Sequence, residues 1–526
     1  MTRLSEDSGF VEGQQLHEST KRIHKSELRN HGLRFVTLAL LSALLLFPSL
    51  HRQGLAGYDD AVYAHEGKEM VRTGDWWNIR FNGNLNFEYP PLFLWLEASS
   101  FKLFGVNDAA AKFPSALLGF GTILVVYFLT FELTGQLWLS LFAMLVLAST
   151  QFFLKNATHA MTDVPFTFFF TLAIFLYAKG SKNGRYLAVL GLPLAFALLT
   201  RSVIGFLAIG IIAVHVVLTR RLNLLSSPWL ISGLALAVAL PSVWYLSQYQ
   251  LHGPVSLASH LRFVTNKIYV ESVTPRWSTI INYPEALLKY YWPWLPFLVA
   301  GLFIEIRAMV RKKDEVASLL IAWVLLVLVP FSLAQTRYPR YIMPVFPAFS
   351  ILAAIALDRW IPMARRKAFF TSACVVGCVA IGATLLFPPR ARATDMRTLV
   401  PIAEANSSSP QRVIIYSYED GRSDYLNQFL WYGSRYAELA PDLSDLAAKL
   451  TRSEDAIFIV DKNSYGRLLQ HVSPETLLRV RILGQSDNFI CFRVSRGRVD
   501  VGRCHHQKVE PVAELARAIE QLGDLL

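Results

Sequence analysis

Gly57-Tyr58-Asp59-Asp60-Ala61-Val62-Tyr63-Ala64-His65-Glu66-Gly67-Lys68-Glu69-Met70 follows closely on the first long apolar block of the chain, and its reading decides the fold. Two adjacent carboxylates stand where the chain has barely left that block. An acid in such a partly desolvated place is costly unless it has a partner or a task. A tryptophan turn follows (Asp75, Trp76, Trp77), and then Phe87-Glu88-Tyr89-Pro90-Pro91-Leu92-Phe93-Leu94-Trp95-Leu96-Glu97. Residues 60–72 have helical spacing, and Pro90 and Pro91 suit the first turn of a second helix. That second helix is too apolar for an aqueous loop, so both are expected to lie along a membrane surface with the tryptophans at headgroup depth.

Working outward, the composition supports the membrane. The chain has 526 residues, 53% of them hydrophobic and 17% charged, and the apolar residues come in long blocks. With roughly 20 apolar residues needed per crossing, this is a polytopic membrane protein. Blocks near 35–50, 113–131, 137–154, 164–178, 186–199, 203–218, 229–246, 286–304, 316–334, 341–357 and 369–387 make about eleven crossings by that criterion. The first is read as an uncleaved anchor, because its polar and basic leader is long and many spans follow. The net charge of +12 is topological, with basic residues dispersed between the apolar blocks as no nucleic-acid-binding domain would have them.

Charge also fixes the orientation. With the amino terminus in the cytoplasm, the inside loops carry Lys179, Lys182 and Arg185; Arg220 and Arg221; Arg307, Arg311, Lys312 and Lys313; and Arg359, Arg365, Arg366 and Lys367. That is the positive-inside arrangement. The Asp59 stretch, residues 156–163, the turn at Arg201, residues 247–285 and Arg337 to Arg340 then share the outer face. Residues 251–285 are expected to add a third interfacial piece.

After Pro388 and Pro389 the chain becomes charged, with short apolar runs (Val413–Tyr416, Ala456–Val460) each followed by a helical stretch. This predicts a small α/β domain. The organisation is therefore a cytoplasmic tail over 1–33, a membrane domain over 34–389 and an extracytoplasmic α/β domain over 390–526, whose last residues, Val509 to Leu526, read as one amphipathic helix. Of the four cysteines, Cys374 and Cys378 lie in an apolar block, while Cys491 and Cys504 in the tail would pair only in an oxidising compartment.

The outer face gathers the chemistry. Asp59, Asp60, Glu66 and Glu88 belong to the first loop. Asp163 opens a span in Ala160-Met161-Thr162-Asp163-Val164-Pro165-Phe166, Arg201 interrupts Leu198-Leu199-Thr200-Arg201-Ser202-Val203, and Arg337, Arg340 and Tyr341 sit in Gln335-Thr336-Arg337-Tyr338-Pro339-Arg340-Tyr341. Carboxylates beside guanidinium groups offer a general base and a phosphate clamp. Each has a plainer reading: Asp163 as a helix N-cap, Arg201 as a residue reaching for headgroups, Arg337 and Arg340 as lipid-facing anchors. Their shared side of the membrane is what favours a site.

The first-loop string, the proline pair, the Asp163-Val164-Pro165 string and Arg340-Tyr341-Ile342-Met343-Pro344 resemble the GT-C membrane glycosyltransferases, in particular the bacterial branch of lipid A aminoarabinose transferases and protein O-mannosyltransferase relatives. The likeness covers most of residues 35–360. It implies an all-α GT-C membrane domain in the bacterial inner membrane with its site on the periplasmic side. It also implies a polyprenyl-phosphate sugar as donor and a lipid A, other glycan or protein acceptor. Asp59 maps onto the essential acid of that family's first outer loop, Asp163 onto the acid opening the fourth span, and Glu88 onto the carboxylate before the prolines.

Asp59 is expected as the base of an inverting transfer, with Asp163 beside it. Asp60, Tyr63, Glu88, Tyr89, Arg201, Arg337, Arg340 and Tyr341 are expected to hold substrate. Tyr89 stands where the lipid A transferases tend to carry Lys, and Val62 where they tend to carry a basic residue. Arg201, Arg337 and Arg340, or a divalent metal cation at Asp59 and Glu88, would then supply the charge. The alternatives are a lipid-linked sugar flippase or transporter, and a polysaccharide ligase.

Overall fold

The computed structural model describes residues 29–51, 54–55, 57, 59–269, 282–334, 338–386, 395–407, 412–417, 424–453 and 455–495. The chain divides into two compact units, Met1–Ala393 and Thr394–Leu526.

In the first unit, eight helices among the described residues are long and apolar enough to cross a membrane, and two bent pairs raise the number to ten. The pairs are Leu137–Ser149 with Gln151–Ala157, bent by 64°, and Tyr283–Tyr290 with Leu295–Lys312, bent by 120°. The eleventh apolar block is hidden in one continuous stretch, Arg185–Leu218, which is 34 residues long. At 1.5 Å per residue that is about 50 Å, far more than one crossing. It doubles back at Arg201. Arg201 pairs with Asp163 at the start of the Asp163–Gly180 helix, while His215 shares a 2.7 Å hydrogen bond with Tyr177 near that helix's end. The segments before and after Arg201 therefore run in opposite directions.

The reversal is built from Ser202, a non-glycine residue at φ +52°, followed by the short 3-10 turn Ser202–Gly205. Such a conformation is rare for a side-chain-bearing residue and persists only where its surroundings hold it. Here the Ser202 hydroxyl and His260 Nε2 lie 2.8 Å apart in a hydrogen bond.

The first outer loop forms the helices Asp59–Thr73 and Leu92–Phe104, joined through a two-residue hairpin pairing Arg80–Phe81 with Asn84–Leu85. The helices approach closely at Gly67, where a Cβ would lie 3.1 Å from the Cβ of Glu97. The tryptophan turn does more than rest among headgroups. Trp95 Nε1 donates to the Trp76 carbonyl (2.6 Å), Trp77 Nε1 donates to Ser247 Oγ (2.6 Å), and Trp244 Nε1 donates to the Trp77 carbonyl (3.2 Å). These bonds fasten the loop to the Pro228–His252 helix. The interfacial piece expected after residue 251 includes the helices Pro254–Tyr269 and Asn282–Tyr290.

The second unit is a five-stranded sheet with helices. In spatial order the strands are Glu438–Leu439, Arg412–Tyr416, Ala456–Asp461, Phe489–Val494 and Val480–Gln485, the first three parallel and the last two antiparallel to their neighbours. The central strand Ala456–Asp461 is buried at every position, which is why its sequence is a continuous apolar run. Phe458 stacks on Phe492 across the strand pair with ring centroids 5.3 Å apart. Cys491 is buried in this sheet, whereas Cys504 and Val509 to Leu526 fall outside the described residues.

Candidate active site

Asp59 opens its helix with its carboxylate 2.8 Å from an Arg340 terminal nitrogen. Arg340 lies in the 3-10 turn Pro339–Val345, and its Nε is 3.9 Å from Asp163. Asp163 in turn accepts from Arg201. The result is an alternating chain, Asp59–Arg340–Asp163–Arg201, drawn from four segments distant in sequence. All four side chains are largely withdrawn from solvent, from 3% exposed at Asp163 to 27% at Asp59. Charge alternation keeps this arrangement neutral, which tolerates the desolvation that a lone ion would not.

The plainer readings of these residues fail on geometry. Thr162, not Asp163, occupies the N-cap position, and it makes no side-chain capping bond. Asp163 turns its carboxylate to the two arginines. Arg201 does not reach for headgroups, since it is 15% exposed and its guanidinium packs 5.2 Å from the Tyr341 ring centroid.

These residues border a cavity of about 520 Å³. Its polar wall carries Asp59, Tyr63, Glu88, Tyr89, Arg201 and Tyr341, with Asp163 and Arg340 bonded directly to that wall. Thr162, Thr200, Ser202 and His260 add further polar groups, and the apolar lining includes Val203, Ile204 and Leu207 together with Pro330, Phe331, Leu333 and Ala334. Tyr63 packs edge-on to Tyr89 (4.7 Å) and Phe93 (5.6 Å), and Tyr89 meets Phe263 at 5.2 Å. Burial pushes both phenols well above their ordinary range, so they are neutral hydrogen-bonding groups.

Asp60 departs from expectation. Successive helical residues point about 100° apart, and while Asp59 faces the cavity, Asp60 is fully buried and accepts a 2.7 Å bond from His159 Nδ1. Glu66 is likewise turned inward, accepting from Asn86 Nδ2 at 2.6 Å. Glu97 is wholly buried, and neither of its carboxylate oxygens has a hydrogen-bond partner among the described residues. Burial holds both glutamates well above the usual carboxylate range, and the charges of Glu88 and Asp59 raise Glu66 further while those of Glu66 and Asp60 raise Glu97. Arg337 lies outside the described residues.

Sequence reasoning missed His159, Phe263 and Val264, and weighed His260 only as a feature of a polysaccharide ligase, not as part of this site. His260 lies on the Pro254–Tyr269 helix and spans Ser202 (2.8 Å) and the Phe87 carbonyl (3.1 Å), and burial holds its imidazole below the ordinary range. Only its isolation in an interfacial amphipathic stretch could have flagged it.

The two residues expected to hold a divalent cation, Asp59 and Glu88, both border the cavity. No three His, Cys, Asp or Glu residues among the described ones gather in a metal-holding arrangement. Asp59 is engaged by Arg340, and His260, which lines the same cavity as Glu88, has both ring nitrogens in hydrogen bonds.

Comparison with known proteins agrees with this architecture. The family profile of dolichyl-phosphate-mannose-protein mannosyltransferases matches residues 33–255. An uncharacterised protein of Aquifex aeolicus is 28% identical over 328 residues, 62% of this chain and 64% of its own length. The undecaprenyl phosphate-alpha-4-amino-4-deoxy-L-arabinose arabinosyl transferase of Aeromonas hydrophila is 29% identical over 378 residues, 65% of this chain and 64% of that one. The chain thus spans a little under two thirds of these relatives. ArnT of Cupriavidus metallidurans, solved bound to undecaprenyl phosphate, superposes with a TM-score of 0.69 at 18% identity, covering 88% of this chain and 98% of that one. The oligosaccharyltransferase of Archaeoglobus fulgidus shares the fold more distantly, at a TM-score of 0.53 and 14% identity over 85% of this chain and 71% of that one. In sequence this chain is thus similar to the dolichyl-phosphate-mannose-protein mannosyltransferases over residues 33–255 and to the undecaprenyl-phosphate aminoarabinose arabinosyl transferases over about two thirds of its length, and its fold is that of ArnT.

Proposed function

We propose that this protein transfers a sugar from a polyprenyl-phosphate donor to an extracytoplasmic acceptor in the bacterial inner membrane, with its site and its C-terminal unit on the periplasmic side. The observation that carries the reading is the cavity's mixed lining: Asp59 and Arg201, backed by Arg340 and Asp163, share one cavity with the apolar residues Val203, Ile204, Leu207, Pro330, Phe331, Leu333 and Ala334. A lipid-linked sugar phosphate has the matching parts, a charged head beside a long hydrocarbon.

In this reading the donor phosphate draws Arg340 and Arg201 away from their carboxylates, for which guanidinium geometry is suited. Asp59, released from Arg340, takes the proton of the acceptor hydroxyl as its oxygen attacks the anomeric carbon. The bond from that carbon to the phosphate oxygen breaks, and the carrier phosphate leaves with both electrons, stabilised by the arginines. Direct displacement inverts the anomeric centre. Tyr63, Tyr89 and Tyr341 orient the sugar through neutral hydroxyls, and Glu88 borders it. Relatives named as aminoarabinosyl transferases make undecaprenyl-phosphate aminoarabinose the first donor to test.

Purified protein is incubated with several polyprenyl-phosphate sugars, and the release of free carrier phosphate is measured. Release by wild type, with loss in Asp59→Asn and donor binding retained, supports the proposal. Donor bound but never cleaved, with an acceptor extract present, refutes it and points to a flippase.

A further inference from the structure

Beside the substrate-facing acid lies a second pairing that the transfer step does not use. Asp60 is fully buried, yet its only hydrogen bond among the described residues is the 2.7 Å one from His159 Nδ1 to Oδ2, and Oδ1 has none. A buried carboxylate so thinly served is expensive, and an apolar residue of similar size would pack there at lower cost. His159 belongs to the turn between the Gln151–Ala157 and Asp163–Gly180 helices. Its amide donates to the Asn156 carbonyl (3.3 Å) and its carbonyl accepts from the Met161 amide (2.9 Å), so the ring's position and the turn's conformation are set together. Four residues further on stands Asp163.

The connections close into a loop. Asp59 binds Arg340, Arg340 reaches Asp163, the turn runs back to His159, and His159 binds Asp60, the covalent neighbour of Asp59. We propose that the His159–Asp60 pair is a positioning clamp, fixing the start of the Asp59 helix against the start of the Asp163 helix so that both carboxylates meet the same substrate. Neither residue touches substrate; they act through Asp59 and Asp163. The clamp rests on the transferase reading for its kinetic consequence, and on the geometry alone for its existence.

The side chain of asparagine separates this role from mere filling of space, because its Nδ2 stands the same number of bonds from the backbone as imidazole Nδ1. Glutamine, one methylene longer, cannot reproduce that position. Carrier-phosphate release by full-length protein in detergent is compared for wild type, His159→Ala, His159→Asn and His159→Gln. Since misplacement by about 1 Å can cost 10²-fold, the alanine and glutamine variants are expected to lose roughly 10- to 100-fold in kcat with donor KM little changed. The asparagine variant should recover most of the loss. Equal activity of all three variants, or a loss confined to KM, overturns the proposal.

A measurement independent of activity accompanies it. Unfolding midpoints of Asp60→Ala, His159→Ala and the double variant should be strongly non-additive, the double being little worse than either single change. Additive effects sink the clamp whether or not the enzyme turns over. Non-additive unfolding, in a wild type that cleaves no donor, keeps the clamp's geometry and removes the transferase reading.

Discussion

Replacing Arg340 with glutamine is the most searching single change in the site. Arg340 lies 2.8 Å from Asp59 and 3.9 Å from Asp163, and its loss leaves Asp59 without the ion pair described above. Asp163 keeps Arg201. A hydrogen bond to a charged group contributes about 1.5–3 kcal/mol. Asp59 is 27% exposed and can recover some hydration, so the stability cost belongs near the bottom of that range. The kinetic cost is larger in proportion, because a cation aimed at developing phosphate charge is lost, and such losses run to about 10²–10³ in kcat.

The assay is single-turnover release of carrier phosphate from a polyprenyl-phosphate sugar, with thermal unfolding measured on the same preparations. Asp59→Asn alone is expected to be as severe. The double variant should fall short of the sum of the two by about 0.5–3 kcal/mol, since the residues act as a pair. An Arg340→Gln enzyme within about threefold of wild type in kcat/KM refutes the idea that this guanidinium serves the leaving phosphate. Additive single effects would show that the observed pairing has no part in catalysis.

Three further outcomes follow from other parts of the molecule. Glu97 and Glu66 ionise above their ordinary range in the folded protein, so the folded state holds their protons longer than the unfolded one. Their stabilising contribution is complete below the ordinary glutamate range and is lost as pH rises toward the raised values. Glu97→Gln should therefore flatten the fall of the unfolding midpoint above that range, and an unchanged pH profile contradicts this. Gly301→Ala places a Cβ 2.0 Å from the Leu352 carbonyl oxygen, pushing apart the Leu295–Lys312 and Phe346–Trp360 helices. A loss of about 1–3 kcal/mol or more is expected in unfolding experiments, and a neutral result would mean the crossing is looser than described. Burial pushes the Cys491 thiol up to about 12, so iodoacetamide should leave it unmodified until the protein unfolds. Alkylation in the folded state would place that strand at the surface.

Much of the membrane unit was legible because its signals are additive along the chain. Hydropathy blocks, loop charge and prolines at helix starts each act locally, and they yielded the helices together with the shared face of Asp59, Asp163, Arg201 and Arg340. The duplex at Arg201 was legible too, since a charged residue between two apolar blocks marks a turn. What escaped was direction. Nothing local distinguishes Asp59 from Asp60, because which acid faces the cavity depends on the rotation of a helix held by partners elsewhere. His159 and the place of His260 in this site escaped for the same reason: a single histidine in a turn or on an interfacial helix carries no periodic signal. The packing role of the tryptophan turn escaped because an interfacial belt and a packing cluster use the same residues, and its partners Ser247 and Trp244 lie some 170 positions away.

The Asp59–Asp60 doublet also constrains how this chain can change over time. Because the two acids diverge by about 100° on one helix, neither is a spare for the other. Inserting or deleting a single residue between them and Gly67, where the helix packs on Glu97, would rotate the doublet out of frame, sending the outward acid into the interior and stranding the inward one without its histidine. Lineages of this protein should therefore tolerate length variation in the hairpin around Asn82 and Gly83 far more readily than in the helical turns between Asp60 and Gly67.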